Sequence, residues 1–200
     1  PVPVKTVATA HADDDFAQYQ KLGDLKTWNI YSPLMAPVSL RQEWLELKDE
    51  DPFDYACVER KIPSSSYLKA SFDVQAAQTR NGSLQIEFLD EKGIACTRIE
   101  LNKEGMIRVK NGARYGNVMP YQADQTYRFE ATLDTQHRQL NLTVSTLGAD
   151  GKALQSKSTK RIFYAPVHQI ERIRFRTGDL RTFPTIDTPA DWFGTLEHAG

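Results

Sequence analysis

Thr126-Tyr127-Arg128-Phe129-Glu130-Ala131-Thr132-Leu133-Asp134 is the stretch whose reading decides the fold. In an extended chain Tyr127, Phe129, Ala131 and Leu133 fall on one side, and Arg128, Glu130 and Thr132 on the other. This period of two marks a half-buried strand with one wet face. Residues 139–147 repeat it, with Leu140, Leu142 and Val144 inward and Asn141, Thr143 and Ser145 outward. The link between them, Thr135-Gln136-His137-Arg138, is short, so the pair reads as an antiparallel hairpin.

The same alternation recurs on both sides of this hairpin. Residues 66–75 alternate through Leu68, Ala70, Phe72 and Val74. Residues 83–90 and 94–101 flank the tight turn Glu91-Lys92-Gly93, with Leu84, Ile86 and Phe88 sharing a face, as do Ile99 and Leu101. Further strands are expected at 37–47, 55–62, 105–110, 117–120, 152–158 and 168–176. Turn signals punctuate them at Asn81-Gly82, Glu104-Gly105, Asn111-Gly112, Asp150-Gly151 and Thr177-Gly178. Roughly a dozen short strands with such punctuation predict an all-β, antiparallel two-sheet β-sandwich or a barrel. The helical candidate is 13–22, where Asp13-Asp14-Asp15 would cap a turn or two. One domain is expected over 1–200, with 179–200 an irregular C-terminal wrap pinned by Trp192-Phe193.

Composition narrows the function classes. The chain has 200 residues, with 25 Lys+Arg against 26 Asp+Glu, for a net charge of -1. That balance argues against a nucleic-acid binder held by a general basic field. At 40% hydrophobic and 26% charged, it is a folding composition rather than a disordered one. Apolar runs are too short for a membrane span. The start at Pro1-Val2-Pro3-Val4-Lys5, with neither Met nor an apolar leader, fits a piece cut from a longer protein or a chosen boundary. Cys57 and Cys96 make no disulfide framework and no zinc cluster. Two free buried thiols are expected, and a bridge would require export and proximity.

Several segments carry a family likeness. Segment 11–31, with Asp15-Phe16 and Trp28, resembles the entry strand of concanavalin A-like (laminin-G-like) jelly rolls. Leu45-Glu46-Leu47-Lys48-Asp49-Glu50-Asp51-Pro52-Phe53-Asp54-Tyr55-Ala56 with Glu59-Arg60 resembles such domains in bacterial polysaccharide-utilisation proteins. So do Gly82-Ser83-Leu84-Gln85-Ile86-Glu87 and Ile170-Glu171-Arg172-Ile173-Arg174-Phe175-Arg176-Thr177-Gly178, the latter followed by Pro184 and Asp187-Thr188-Pro189. The resemblance implies a concanavalin A-like jelly roll appended to a larger extracytoplasmic protein (periplasmic, cell-surface or secreted). It does not extend to the catalytic signatures of jelly-roll enzymes. Alginate-lyase-like members have Gln-x-His where Glu87 follows Gln85-Ile86. Glucanase-like members have Glu-x-Asp-x-x-Glu, whereas Glu43, Glu46 and Asp49 are spaced otherwise.

Candidate site residues follow from strand sidedness. Arg172, Arg174 and Arg176 share one face of a strand, and three guanidiniums so close need negative charge beside them. They would grip an acidic polysaccharide through bidentate contacts to carboxylate or sulfate, or pair across the sheet with Glu87, Glu100, Glu59 or Glu130. If Leu89 pairs with Ile94, then Gln85 opposes Arg98 and Glu87 opposes Cys96. Gln85, Glu87, Arg98 and Glu100 then share a polar face, suited to sugar hydroxyls or to a solvated salt bridge. The segment Asn111-Gly112-Ala113-Arg114-Tyr115-Gly116-Asn117 reads as a long loop. It offers Tyr115 either for stacking on a sugar ring or as a cover for the core edge. Trp44 is the best exposed aromatic platform. No cofactor is expected apart from a structural calcium, for which Asp13, Asp15 and Asp187 supply hard oxygen ligands.

Three functions are open at this point. The first is a carbohydrate-associated module that binds or positions polysaccharide through Arg172, Arg174, Arg176, Arg98, Glu87, Tyr115 and Trp44. The second is a glycoside hydrolase or lyase, with Glu87 beside Glu59 or Glu100 as the acid pair, or Tyr115 as a lyase base. The third is a ligand-free domain docked on the rest of its own protein.

Overall fold

The computed structural model describes residues 10–178. Thirteen strands run through them: β1 (Trp28–Tyr31), β2 (Val38–Arg41), β3 (Trp44–Leu47), β4 (Cys57–Ser65), β5 (Tyr67–Gln75), β6 (Leu84–Leu89), β7 (Ala95–Leu101), β8 (Met106–Asn111), β9 (Arg114–Pro120), β10 (Thr126–Asp134), β11 (Gln139–Leu147), β12 (Ala153–Ile162) and β13 (Ile170–Thr177). They form a seven-stranded sheet in the order β1-β4-β13-β6-β7-β8-β9, a four-stranded sheet in the order β12-β11-β10-β5, and the separate hairpin β2-β3. The pairings are antiparallel, and the fold is an all-β jelly-roll sandwich of concanavalin A-like type.

The alternation in the sequence decides which side chains meet between the sheets. Ile86, Phe88 and Ile99 from the large sheet face Phe129, Leu133 and Leu142 from the small one, and each is at most 1% exposed. Burying such side chains contributes about 1.5–3 kcal/mol apiece. A smaller cluster, Ala36, Val38, Ala56 and Val58, forms under the β2-β3 hairpin. Phe175 packs against both clusters.

Some local expectations are corrected. Residues 37–47 are a hairpin rather than one strand, turning at Gln42, whose φ is 54°. Residues 13–22 form no α-helix. A 3-10 turn spans Phe16–Gln18, with the Asp15 side chain accepting the Ala17 N–H, and a second spans Leu22–Asp24. Residues 111–117 are no long loop, because β8 turns directly into β9 through Gly112 and Ala113. Gly112 takes φ +59°, which lets this turn be so short.

The β6–β7 register also differs from expectation. Leu89 pairs with Ala95 rather than Ile94, across an irregularity between Phe88 and Leu89. Beyond it Glu87 faces Arg98 and Gln85 faces Glu100. Cys57 and Cys96 are free thiols: Cys96 is buried in the main core and Cys57 lies on β4, less deeply covered. Burial pushes both thiols up to about 12.

Candidate functional site

Strand β13 places Ile173 and Phe175 toward the core and Arg172, Arg174 and Arg176 on the outer face of the seven-stranded sheet. The pairing registers align these arginines with carboxylates on neighbouring strands. One row across the sheet reads Asn29, Glu59, Arg174, Glu87, Arg98. The next reads Tyr31, Cys57, Arg176, Gln85, Glu100, Arg108, Asn117. Opposite charges therefore sit side by side, as directly facing cross-strand pairs favour.

Glu87 is the centre of this lattice and is 0% exposed. Its Oε1 accepts from Arg98 Nε at 2.7 Å, and its Oε2 from Arg174 Nε and Nη2 at 2.7 and 2.5 Å. Burial alone would raise its pKa, but Arg174 and then Arg98 outweigh that and hold it below the ordinary carboxylate value. Arg172 donates to Glu59 Oε2 at 3.1 Å and to the carbonyls of Asp90 and Glu91 at 3.1 and 3.2 Å. Arg174 also lies 3.7 Å from Glu59 Oε1. Arg176 lies over the Tyr55 ring, 3.9 Å from its centroid, a cation–π contact. Glu100 joins Gln85 and Arg108. Of the four carboxylates considered as partners, Glu59 and Glu87 take Arg172 and Arg174, and Glu100 pairs with Arg108. Glu130 stands apart, on β10 of the other sheet.

At the β8–β9 end of this face the balance changes. Tyr115 lies in β9, with the Arg108 guanidinium 4.4 Å and the Lys110 ammonium 4.6 Å from its ring centroid. Tyr164, in the link between β12 and β13, lies 5.6 Å from Lys110 and 5.7 Å from Arg98. Arg98 also engages the Tyr115 hydroxyl. Arg98 and Arg108 have carboxylate partners in Glu87 and Glu100, but Lys110 donates only to the Ala113 carbonyl, at 3.0 Å. An ammonium has three donors, so two are uncommitted among the described residues. Partial burial, then repulsion from Arg98 and Arg108, holds Lys110 below its ordinary pKa. The corner thus combines two aromatic rings, a crowded cation and spare donors.

Sequence reasoning named Arg98 and Tyr115 here but missed Arg108, Lys110 and Tyr164. Arg108 and Lys110 carried a signal, since they alternate with the inward Ile107 and Val109 on a strand next to β7. Tyr164 carried none, because its segment has no periodicity.

The other predicted residues lie elsewhere. Trp44 is half-buried on the β2-β3 hairpin and lines a broad cleft of about 2600 Å³ beside β5. Both Ala10 and Gly178, the limits of the described residues, line that cleft. The charge lattice does not line it: β4 and β13 reach it through Val58, Ile62, Ile173 and Phe175, not through Glu59, Arg172 or Arg174. Of the acidic trio, Asp14 pairs with Arg60 at 2.5 Å and Asp15 caps its turn. Asp187, like Trp192-Phe193 and the 179–200 wrap, lies outside the described residues. Among the described residues no three His, Cys, Asp or Glu side chains gather as metal ligands, and no helix is long and apolar enough to cross a membrane.

Residues 28–192 match the family model described as "Sialidase-like, CBM domain", that is, a carbohydrate-binding module. A solved structure named "Sialidase" is 56% identical, with 94% of this chain and 17% of that chain covered and a TM-score of 0.77. The chain therefore spans about a sixth of that protein's length. Bacillus licheniformis β-glucanase is 13% identical over 82% of this chain and 83% of its own, with a TM-score of 0.50, a likeness of fold alone. A search of curated proteins found no match.

Proposed function

The chain belongs to the sialidase-like CBM domain family, and from that premise we propose that it holds an acidic glycan at the Tyr115–Lys110–Tyr164 corner for a larger extracytoplasmic bacterial protein that acts on polysaccharide. The observation that carries this reading is Lys110. Its ammonium sits between two tyrosine rings, pressed by two guanidiniums, and keeps donors free. A sugar carboxylate or sulfate would relieve that repulsion and accept those donors. The tyrosine rings supply flat apolar surface for the sugar and hydroxyls for its edge.

Arg172 and Arg174 serve this reading indirectly. Their charges are met by Glu59 and Glu87, so they brace the face instead of reaching for a ligand. The same pairing disfavours catalysis by these groups. Glu87 is ionised, buried and doubly paired, with neither a proton to give nor access to water.

The test is a binding screen of acidic and neutral glycans at two salt concentrations, with the parent chain, Lys110→Gln and Tyr115→Ala. Salt-sensitive binding to acidic glycans is expected, weakened about tenfold by losing the charge-assisted contact at Lys110 and by a similar factor at Tyr115. Binding that is indifferent to both substitutions, or restricted to neutral glycans, would overturn the reading.

A further inference from the structure

Two stretches of the sequence lack any carboxylate. Residues 105–123 carry Arg108, Lys110 and Arg114, and residues 151–170 carry Lys152, Lys157, Lys160 and Arg161. In a chain of net charge -1, positive charge so segregated leaves the remainder acidic.

The fold then brings the two stretches together. Gly112 N–H donates to the Ile162 carbonyl at 3.1 Å, and Ile162 N–H donates to Asn111 Oδ1 at 3.2 Å. The Arg161 guanidinium lies over Gly116 so closely that a Cβ there would stand 3.2 Å from its Nη2. Phe163 N–H donates to the carbonyl of Arg138, in the β10–β11 turn, at 2.9 Å. The edges β9 and β12 thus meet at a seam where Arg161 stands against β9, near Lys110 on β8; Arg114 on β9, Lys157 and Lys160 on β12, and Arg138 in the β10–β11 turn belong to the same edge elements, with Lys160 on the outer face of its sheet.

Each of these five lacks a carboxylate within ion-pair distance among the described residues, whereas Arg172, Arg174, Arg98 and Arg108 all have one. The cations occupy both sides of β12. Lys157 and Arg161 face the side of Val144 and Leu140, and Lys160 the side of Asn141. Strand β12 has β11 on one side and ends its sheet on the other.

We propose that this β9–β12 seam is a second anion-binding strip, which holds the neighbouring acidic units of a long polyanionic glycan engaged at the Lys110 corner. The proposal rests on the corner being a sugar site. It adds that recognition extends around the edge, so length and charge of the glycan both matter. A row of unmatched cations on an edge strand also deters edge-to-edge pairing, and the test separates that role from binding.

The probes are polygalacturonate, a galacturonate trimer, neutral dextran and a single-stranded oligothymidylate. The proteins are the parent chain, the triple variant Lys157→Gln, Lys160→Gln and Arg161→Gln, and Lys110→Gln. Circular dichroism and size exclusion confirm that each stays folded and monodisperse. The triple variant is expected to weaken polygalacturonate binding about tenfold at low salt and flatten its salt dependence, leaving the trimer unchanged. Lys110→Gln weakens both. If Lys110→Gln leaves trimer binding intact while the triple variant still loses the polymer, the corner reading fails and the strip stands. The proposal is overturned if the triple variant binds polygalacturonate like the parent, if it self-associates without losing affinity, or if oligothymidylate binds as tightly as polygalacturonate.

Discussion

Glu87 shows how a residue that looks exposed from its neighbours becomes a structural keystone. Its position on an alternating strand puts it outward, yet it is fully covered by the side chains around it and by the two arginines it pairs with. Removing one partner of a buried pair leaves the other charges uncompensated, at a cost of about 3–5 kcal/mol. Arg98 and Arg174 keep 19% and 27% side-chain exposure, which favours the lower end. Glu87→Ala should therefore lower stability by about 3 kcal/mol in urea unfolding at pH 7. Glu87's native pKa lies below its ordinary value of 4.5. Its contribution is thus complete above the unfolded-state pKa and lost as pH falls through the lowered native one. The gap between parent and variant should close on acidification, and a constant gap down to pH 2 would contradict the pairing. At the same scale, burial pushes the Cys57 and Cys96 thiols up to about 12. Alkylation at pH 8 should be much slower in the native chain than in urea, and equal rates would contradict their burial.

At the scale of elements, the β8–β9 hairpin is most instructive. Two glycines near a tyrosine suggested a loop, but they do different work. Gly112 turns the chain at φ +59°, where a β-branched residue is strained. Gly116 lies within β9 and leaves room for the Arg161 guanidinium. Gly112→Val should cost about 1–2 kcal/mol, read as a lower urea midpoint with an unchanged slope; no shift would argue against this turn. The β6–β7 register departs from expectation for a related reason: the turn starts the ladder one residue on, at Leu89–Ala95, and the irregularity between Phe88 and Leu89 adds a second, so Glu87 meets Arg98 two residues past Cys96. Alternation says which face a residue occupies. It is silent on a local offset set by turn geometry.

At the scale of the whole molecule, Phe175 joins the main core to the cluster under the β2-β3 hairpin. Its ring meets Phe72 edge-on at 5.2 Å and Trp28 at 6.3 Å. Phe175→Ala should cost about 3 kcal/mol and shift one cooperative transition followed by both fluorescence and circular dichroism. Two separated transitions would mean that the clusters unfold independently. The long strands and their buried faces were legible in the sequence, because period-two hydrophobicity is a local property and the core takes whichever face is apolar. So was the outward β13 arginine row. Tertiary structure alone decided what those arginines do, because β4 and β6, which flank β13, come from more than eighty residues earlier in the chain and supply Glu59 and Glu87. It also decided that Lys110, Tyr115 and Tyr164 meet, and that two carboxylate-free stretches close on one seam. Charge compensation depends on distance in space, and local pattern carries no information about which distant strand will become the neighbour.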